Sequence, residues 1–98
     1  MAKQFSVEKM AKNSLFETER MFCDPYCFEP GQEQKHHSHR GSDKVYVALE
    51  GQGRIAAGPD ERDLKEGEAV LVSSGVEHGV FNNSPGRLVL LVFMPPKP

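Results

Sequence analysis

Three of the four histidines in this 98-residue chain, His36, His37 and His39, fall within four consecutive positions, and the fourth is His78. Neutral imidazole is the commonest side-chain ligand for divalent transition ions, with bonds of about 2.0–2.1 Å to zinc. On a helix, a His-x-His pair turns its rings to different sides. On a strand both rings point to one face, with Cα atoms about 6.7 Å apart, so two nitrogens can reach one ion. His36 then points the other way, toward solvent or an interface. His78 opens a second extended stretch, "HGVFN". In a barrel whose early and late strands face each other it would supply a third nitrogen. Partly buried histidines are common, so the spacing by itself is a weak signal.

Five residues after His39 stands Lys44, at the head of "KVYVALE". Strand alternation puts Lys44, Tyr46 and Ala48 on one face and Val45, Val47 and Leu49 on the other. Other chemistries find little support. Cys23 and Cys27 have zinc-ligand spacing but no second Cys/His pair at finger-like distance, so they read as reduced, small apolar side chains. Gly51-Gln52-Gly53 is not followed by a helical pattern and is no nucleotide fingerprint. No Ser-His-Asp order and no glycine-rich phosphate loop stand out. A net charge of −2, with basic residues scattered, argues against a nucleic-acid partner.

The elements that must position these residues are short. Turn signals recur at Pro30-Gly31, Gly51 to Gly53, Gly58-Pro59-Asp60, Glu66-Gly67, Ser74-Gly75 and Asn82 to Gly86. Between them lie "KVYVAL", "RIAA", "ERDL", "AVLV", the segment from His78, and "RLVLLVFM". Met21 to Phe28 reads as a further strand, and Pro25 places it at an edge or bulge. Six or seven strands at this spacing predict an all-β sandwich or barrel. The first twenty residues read either as a short helix capped by Ser6 or as an edge strand that pairs with a second chain. Length predicts a single domain over residues 1–98. The longest apolar run, Leu88 to Met94, is too short to span a bilayer, and the N-terminus has no apolar signal core. A cytoplasmic location and no membrane partner are the resulting expectations.

The glycines and histidines also fall at fixed intervals. Gly31, His37, His39, Lys44 and Gly51 match G-x5-H-x-H-x4-E-x6-G in every spacing, and Gly67, Ser73, Gly75, His78 and Asn82 match G-x5-P-x-G-x2-H-x3-N. On these two motifs, 31–51 and 67–82, the chain resembles the cupins, small barrels with a double-stranded β-helix or jelly-roll-like fold. Residue types agree at eight of the ten fixed positions. Gly51 and Gly53 flank a bend between strands, expected as a hairpin, and Asn82 reads as the tie of a turn.

The resemblance implies a divalent transition metal (iron, manganese, nickel, copper or zinc) held by His37, His39 and His78. It also implies a small-molecule ligand and a homodimer, whose interface the aliphatic face of "KVYVAL" would suit. Ser73 for proline merely loosens a turn. Lys44 for the family's glutamate ligand matters more, because an ammonium repels a cation. Four readings stay open: a three-histidine centre with Lys44 receiving an anionic substrate group, Asp43 substituting through a bulge, a metal-free pocket, and a lysine that snorkels to the mouth. The first makes the protein a metal-dependent enzyme, dioxygenase in type before isomerase, with Lys44 and Tyr46 orienting the substrate. The rival is a non-catalytic small-molecule-binding domain or a metal-free isomerase.

Overall fold

Runs rich in β-branched and aromatic residues become strands wherever glycine- or proline-bearing turns cut them to lengths of two to seven. The computed structural model describes residues 3–97. Its strands are β1 (Ala11–Lys12), β2 (Phe16–Glu17), β3 (Phe22–Phe28), β4 (Glu33–His37), β5 (Lys44–Glu50), β6 (Gln52–Ala57), β7 (Asp60–Lys65), β8 (Ala69–Val72), β9 (His78–Phe81) and β10 (Leu88–Met94). They form two antiparallel sheets. One has the order β1-β3-β10-β5-β8, with β2 also paired to β3, and the other has the order β4-β9-β6-β7. Tyr26, Phe28, Tyr46, Ala48, Leu90 and Val92 from the larger sheet meet Ile55, Leu64 and Val80 from the smaller one in a common core.

The first twenty residues form no helix among those described. Residues 7–9 are bends, Met10 is buried, and β1 and β2 pair with the chain's own β3. Neither the helix nor the strand reserved for a second chain is what forms: tertiary pairing with β3 of the same chain overrides what local propensity could not settle. Strand β3 is also not an edge, despite Pro25. Along one side it pairs with β10 over its whole length. On the other, β1 covers Tyr26 and Cys27 while β2 covers Phe22 and Cys23. Pro25 lies at the break between them, where no donor is required, and its carbonyl accepts the Asn13 N–H at 2.9 Å. The missing N–H of proline therefore costs the ladder nothing.

Gly51 is the corner between the sheets rather than a hairpin bend, because β5 and β6 pair with other strands and not with each other. Its φ of +73° is open to glycine, and a Cβ there would lie 2.1 Å from the Arg87 carbonyl oxygen. Asn82 ties the adjacent turn as expected. It is fully buried, donates to the Phe28 and Gly86 carbonyls, and accepts from the Ser84 amide and hydroxyl. The charged β6–β7 hairpin is solvated, and the Arg54 pairs with Glu61 and Asp63 are exposed and screened by solvent, so they add little to stability.

Gly51→Ala and Gly67→Ala separate backbone strain from collision. Gly67 has φ +86° and nothing near the added methyl. Urea denaturation should show a loss of about 1 kcal/mol for Gly67→Ala, and about 3 kcal/mol or more for Gly51→Ala, where the carbonyl must also move. Equal losses would mean that the Arg87 carbonyl yields freely.

Candidate metal centre

His37 and His78 are direct cross-strand partners on β4 and β9 of the same sheet. They are neighbours rather than residues of facing strands, and their ring centroids lie 4.2 Å apart. β4 ends at His37, so alternation along one strand does not bring His39 in. A loop does. The His39 carbonyl accepts the Gly75 N–H at 2.8 Å, the Ser74 hydroxyl accepts the Gly41 N–H, and the Asp43 carboxylate accepts the Ser74 N–H. This lacing sets the His39 ring 4.9 Å from that of His37 and 6.1 Å from that of His78. One ligand atom from each of the three lies within 4.8 Å of the others.

The register between β4 and β9 slips between Gln34 and His37, a β-bulge. Lys35 and His36 of β4 together oppose Gly79 of β9, so Gln34 and His37 both turn inward although an unbroken strand would send them to opposite faces. Gly79 makes room, since a Cβ there would sit 3.0 Å from the Gln34 carbonyl oxygen and 3.2 Å from the His36 nitrogen. His36 is exposed, as its place beside the pair implies.

The tautomers are fixed from outside the cluster. Nδ1 of His78 lies 2.9 Å from the Val76 carbonyl, and Nδ1 of His37 lies 2.8 Å from that of Lys35. A carbonyl only accepts, so each Nδ1 carries the proton and each Nε2 keeps its lone pair. Nε2 of His78 is buried and has no partner. Burial, followed by the charges of Lys44, His37 and His39, pushes the His78 imidazole down to about 4, even against the Val76 hydrogen bond. His37 and His39 are lowered as well, burial again leading. Near neutral pH the cluster is three uncharged nitrogen bases. Neutral imidazoles with pinned Nδ1–H groups and an orphaned Nε2 fit a divalent transition ion.

Lys44 and Tyr46 reach the cluster from β5, in the opposite sheet. Both are buried, with Ala48, while Val45, Val47 and Leu49 alternate outward. The Lys44 ammonium lies 3.2 Å from Nε2 of His37, 5.1 Å from the centre of the Tyr46 ring and 5.6 Å from that of Tyr26. Burial, then the charge of Lys12, pushes it down to about 7. Asp43 is exposed and committed to Ser74, so the carboxylate beside Lys44 does not turn inward and Lys44 does not snorkel out.

The Tyr46 hydroxyl donates to Oε1 of Gln34 at 2.6 Å, and burial raises its pKa, so it stays protonated. Three contributors are not among the fixed positions of the two motifs: Gln34, which lies between Gly31 and His37, and Tyr26 and Lys12, which precede both motifs, the Lys12 ammonium sitting 5.2 Å from the Tyr26 ring. Only Gln34 left a trace in the sequence. Uninterrupted alternation from His37 would bury Lys35 and Glu33 and expose Gln34, an assignment that itself argues for a broken register.

The family model for the cupin domain matches residues 26–94. Among solved structures, TT1209 from Thermus thermophilus is 46% identical, with 97% of this chain and 90% of that chain covered at a TM-score of 0.95. An uncharacterized conserved protein with a double-stranded beta-helix domain from Klebsiella pneumoniae is 21% identical over 96% and 83% of the two chains, with a TM-score of 0.89. KdgF from a Halomonas species is 20% identical over 99% and 88%, with a TM-score of 0.83. No curated protein matches. The matched span holds both motifs and every residue of the histidine cluster, and on that ground this chain belongs to the cupin family.

Proposed function

We propose that this cupin is a metal-dependent enzyme in which His37, His39 and His78 hold one divalent transition ion, be it iron, manganese, nickel, copper or zinc. The observation that carries this reading is the orphaned Nε2 of buried His78, in a cluster whose ligand atoms converge within 4.8 Å. Such an ion supplies Lewis acidity and open coordination positions.

The chain's own residues supply the rest. Lys44 stands where a fourth ligand would be and instead receives an anionic group of a small organic substrate. Its ammonium, now shared with His37 Nε2 and two aromatic faces, turns to that anion when His37 takes the ion. Tyr46 orients the substrate indirectly, by holding Gln34 through its hydroxyl and walling His78 at a ring separation of 6.0 Å. Oxygenation is the reaction favoured over isomerisation, since three neutral nitrogens leave several positions of an ion open.

The second reading, a metal-free ligand-binding module or isomerase, rests on the 3.2 Å contact of Lys44 with His37, through which the lysine can stand in for the ion. A homodimer completes the proposal. Along the outer face of the larger sheet, exposed Leu71 opposes Val45, and Val45 opposes Phe93, an apolar row that wants cover. Sedimentation velocity should then show a dimer that Leu71→Asp shifts toward monomer.

Elemental analysis of untagged protein incubated with each of the five metals should find about one ion per chain. His37→Ala and His78→Ala should weaken retention by an order of magnitude or more. Lys44→Glu should strengthen it by replacing a repelling charge with a ligand. Protein that stays metal-free with all five ions would sink the reading.

The metal-free protein should also carry a pH signature. Lys44 titrates near 7 when folded and near 10.5 when unfolded, so between these values the unfolded chain binds the extra proton and stability rises with pH. His78 titrates near 4 when folded against 6.5, so stability is lost as pH falls through that window. Urea denaturation at pH 7 and 9 should give a steeper rise for the wild type than for Lys44→Met. Equal rises would mean that the ammonium is solvated.

A further inference from the structure

The two sheets do not join along the seam between β1, an edge of the larger sheet, and β4, an edge of the smaller. An open cleft of about 660 Å³ lies there, lined by Lys9, Met10, Lys12, Glu33, Gln34 and Lys35. That volume suits a small organic ligand. Three lysines line it against one glutamate. None of the three makes an ion pair among the described residues, whose pairs all lie elsewhere. Three positive charges against one negative leave the lining net positive, so the cleft favours an anion.

A second observation points the same way. Gln34 is 8% exposed, and its Oε1 takes the Tyr46 hydroxyl. Its buried Nε2 has no acceptor in the protein. A buried amide donor left unmade is costly and calls for an acceptor from outside. The cleft also leads to the site already described. Lys12 in its wall and Lys44 beside the histidines both lie over the Tyr26 ring, at 5.2 and 5.6 Å.

The chemistry of the lining selects the kind of anion. Phosphoryl groups are typically held by helix N-termini, backbone nests or arginine forks, with lysine as an added point charge. The described residues contain no helix, and the lining contains no arginine. A carboxylate needs only separated ammonium groups and an amide donor, while Met10 and the lysine stems offer apolar cover to a short carbon body.

We propose that this seam binds a small organic carboxylate, its anionic end held by Lys12, Lys35 and the Gln34 side-chain amide. The inference deepens the metal-centre reading by naming a substrate class. Only the ligand's role as substrate rests on that reading, because the cleft uses none of the histidines.

The test is a nitrogen-15 NMR titration of the whole chain with benzoate, with benzamide as the neutral isostere and inorganic phosphate as the competing anion. It is run on chelator-treated protein and on protein incubated with zinc. Benzoate should shift the Gln34 side-chain amide, assigned with Gln34→Met, together with the backbone amides of Met10, Lys12 and Lys35. Lys12→Met and Lys35→Met should each weaken benzoate binding fivefold or more, and Glu33→Gln should tighten it. Lys65→Met, on the far β7 strand, should leave it unchanged. The proposal is overturned if benzoate causes no shifts there at 20 mM, if benzamide or phosphate binds as well, or if both lysine variants bind like the wild type. Failure of the metal reading would appear separately, as spectra at the three histidines that none of the five ions changes.

Discussion

The site depends on one irregularity, the extra residue in β4 between Gln34 and His37. A strand has a period of two, so residues three apart cannot share a face unless the ladder slips. The slip turns His37 toward His78, its partner across the ladder, and turns Gln34 toward Tyr46 on the opposite sheet. It needs a neighbour without a side chain, and Gly79 provides one. The Tyr46–Gln34 hydrogen bond then ties the sheets together just behind the histidines. In a low-dielectric interior such a bond is stronger than it would be in water, and it also locks the geometry around it.

Electrostatics gives the cluster its character. Three imidazoles and one lysine are four bases, and burial works against charge on each of them. The backbone carbonyls of Val76 and Lys35 fix where the protons of His78 and His37 sit, leaving the Nε2 lone pairs of those two rings directed inward. With an ammonium in place of the family's carboxylate, the site gains a positive group where relatives on the common pattern carry a negative one. An ion bound here would therefore keep more of its charge for a substrate anion. The same substitution lets Lys44 reach His37 in the absence of any ion, so one residue links the enzymatic reading to its rival.

The N-terminal segment extends this positive character outward. β1 is only two residues long, yet its pairing with β3 sets Lys12 over the Tyr26 ring and closes one side of the seam between the sheets. Short edge strands are a common way to leave a sheet edge unsuitable for pairing with other chains. Here the same shortness leaves the seam open beside the barrel interior. The N-terminal residues thus do more than cover the core, since they bring charge to the mouth of a site built by other strands.

The sequence by itself determined strands β3 and β5 to β10, the family and the identity of the clustered residues. β5, β8 and β10 follow their alternating or apolar runs closely, and the glycine–histidine spacing of the two motifs is rigid enough to name His37, His39, His78 and Lys44 together. These features are local, written in residue type and interval. What only the tertiary structure decided was set by partners distant in sequence. Pro25 reads as an edge residue until the gap between β1 and β2 is seen beside it, and residues 3–20 read two ways until β3 pairs with them. Gln34 has no evident role until the bulge turns it inward. The rivalry between Asp43 and Lys44 ended in the same way, because Ser74 claims the carboxylate and strand β5 points the lysine inward. Local patterns fix which face a strand buries, but a slip in register depends on the opposing strand, and no interval within one segment records it.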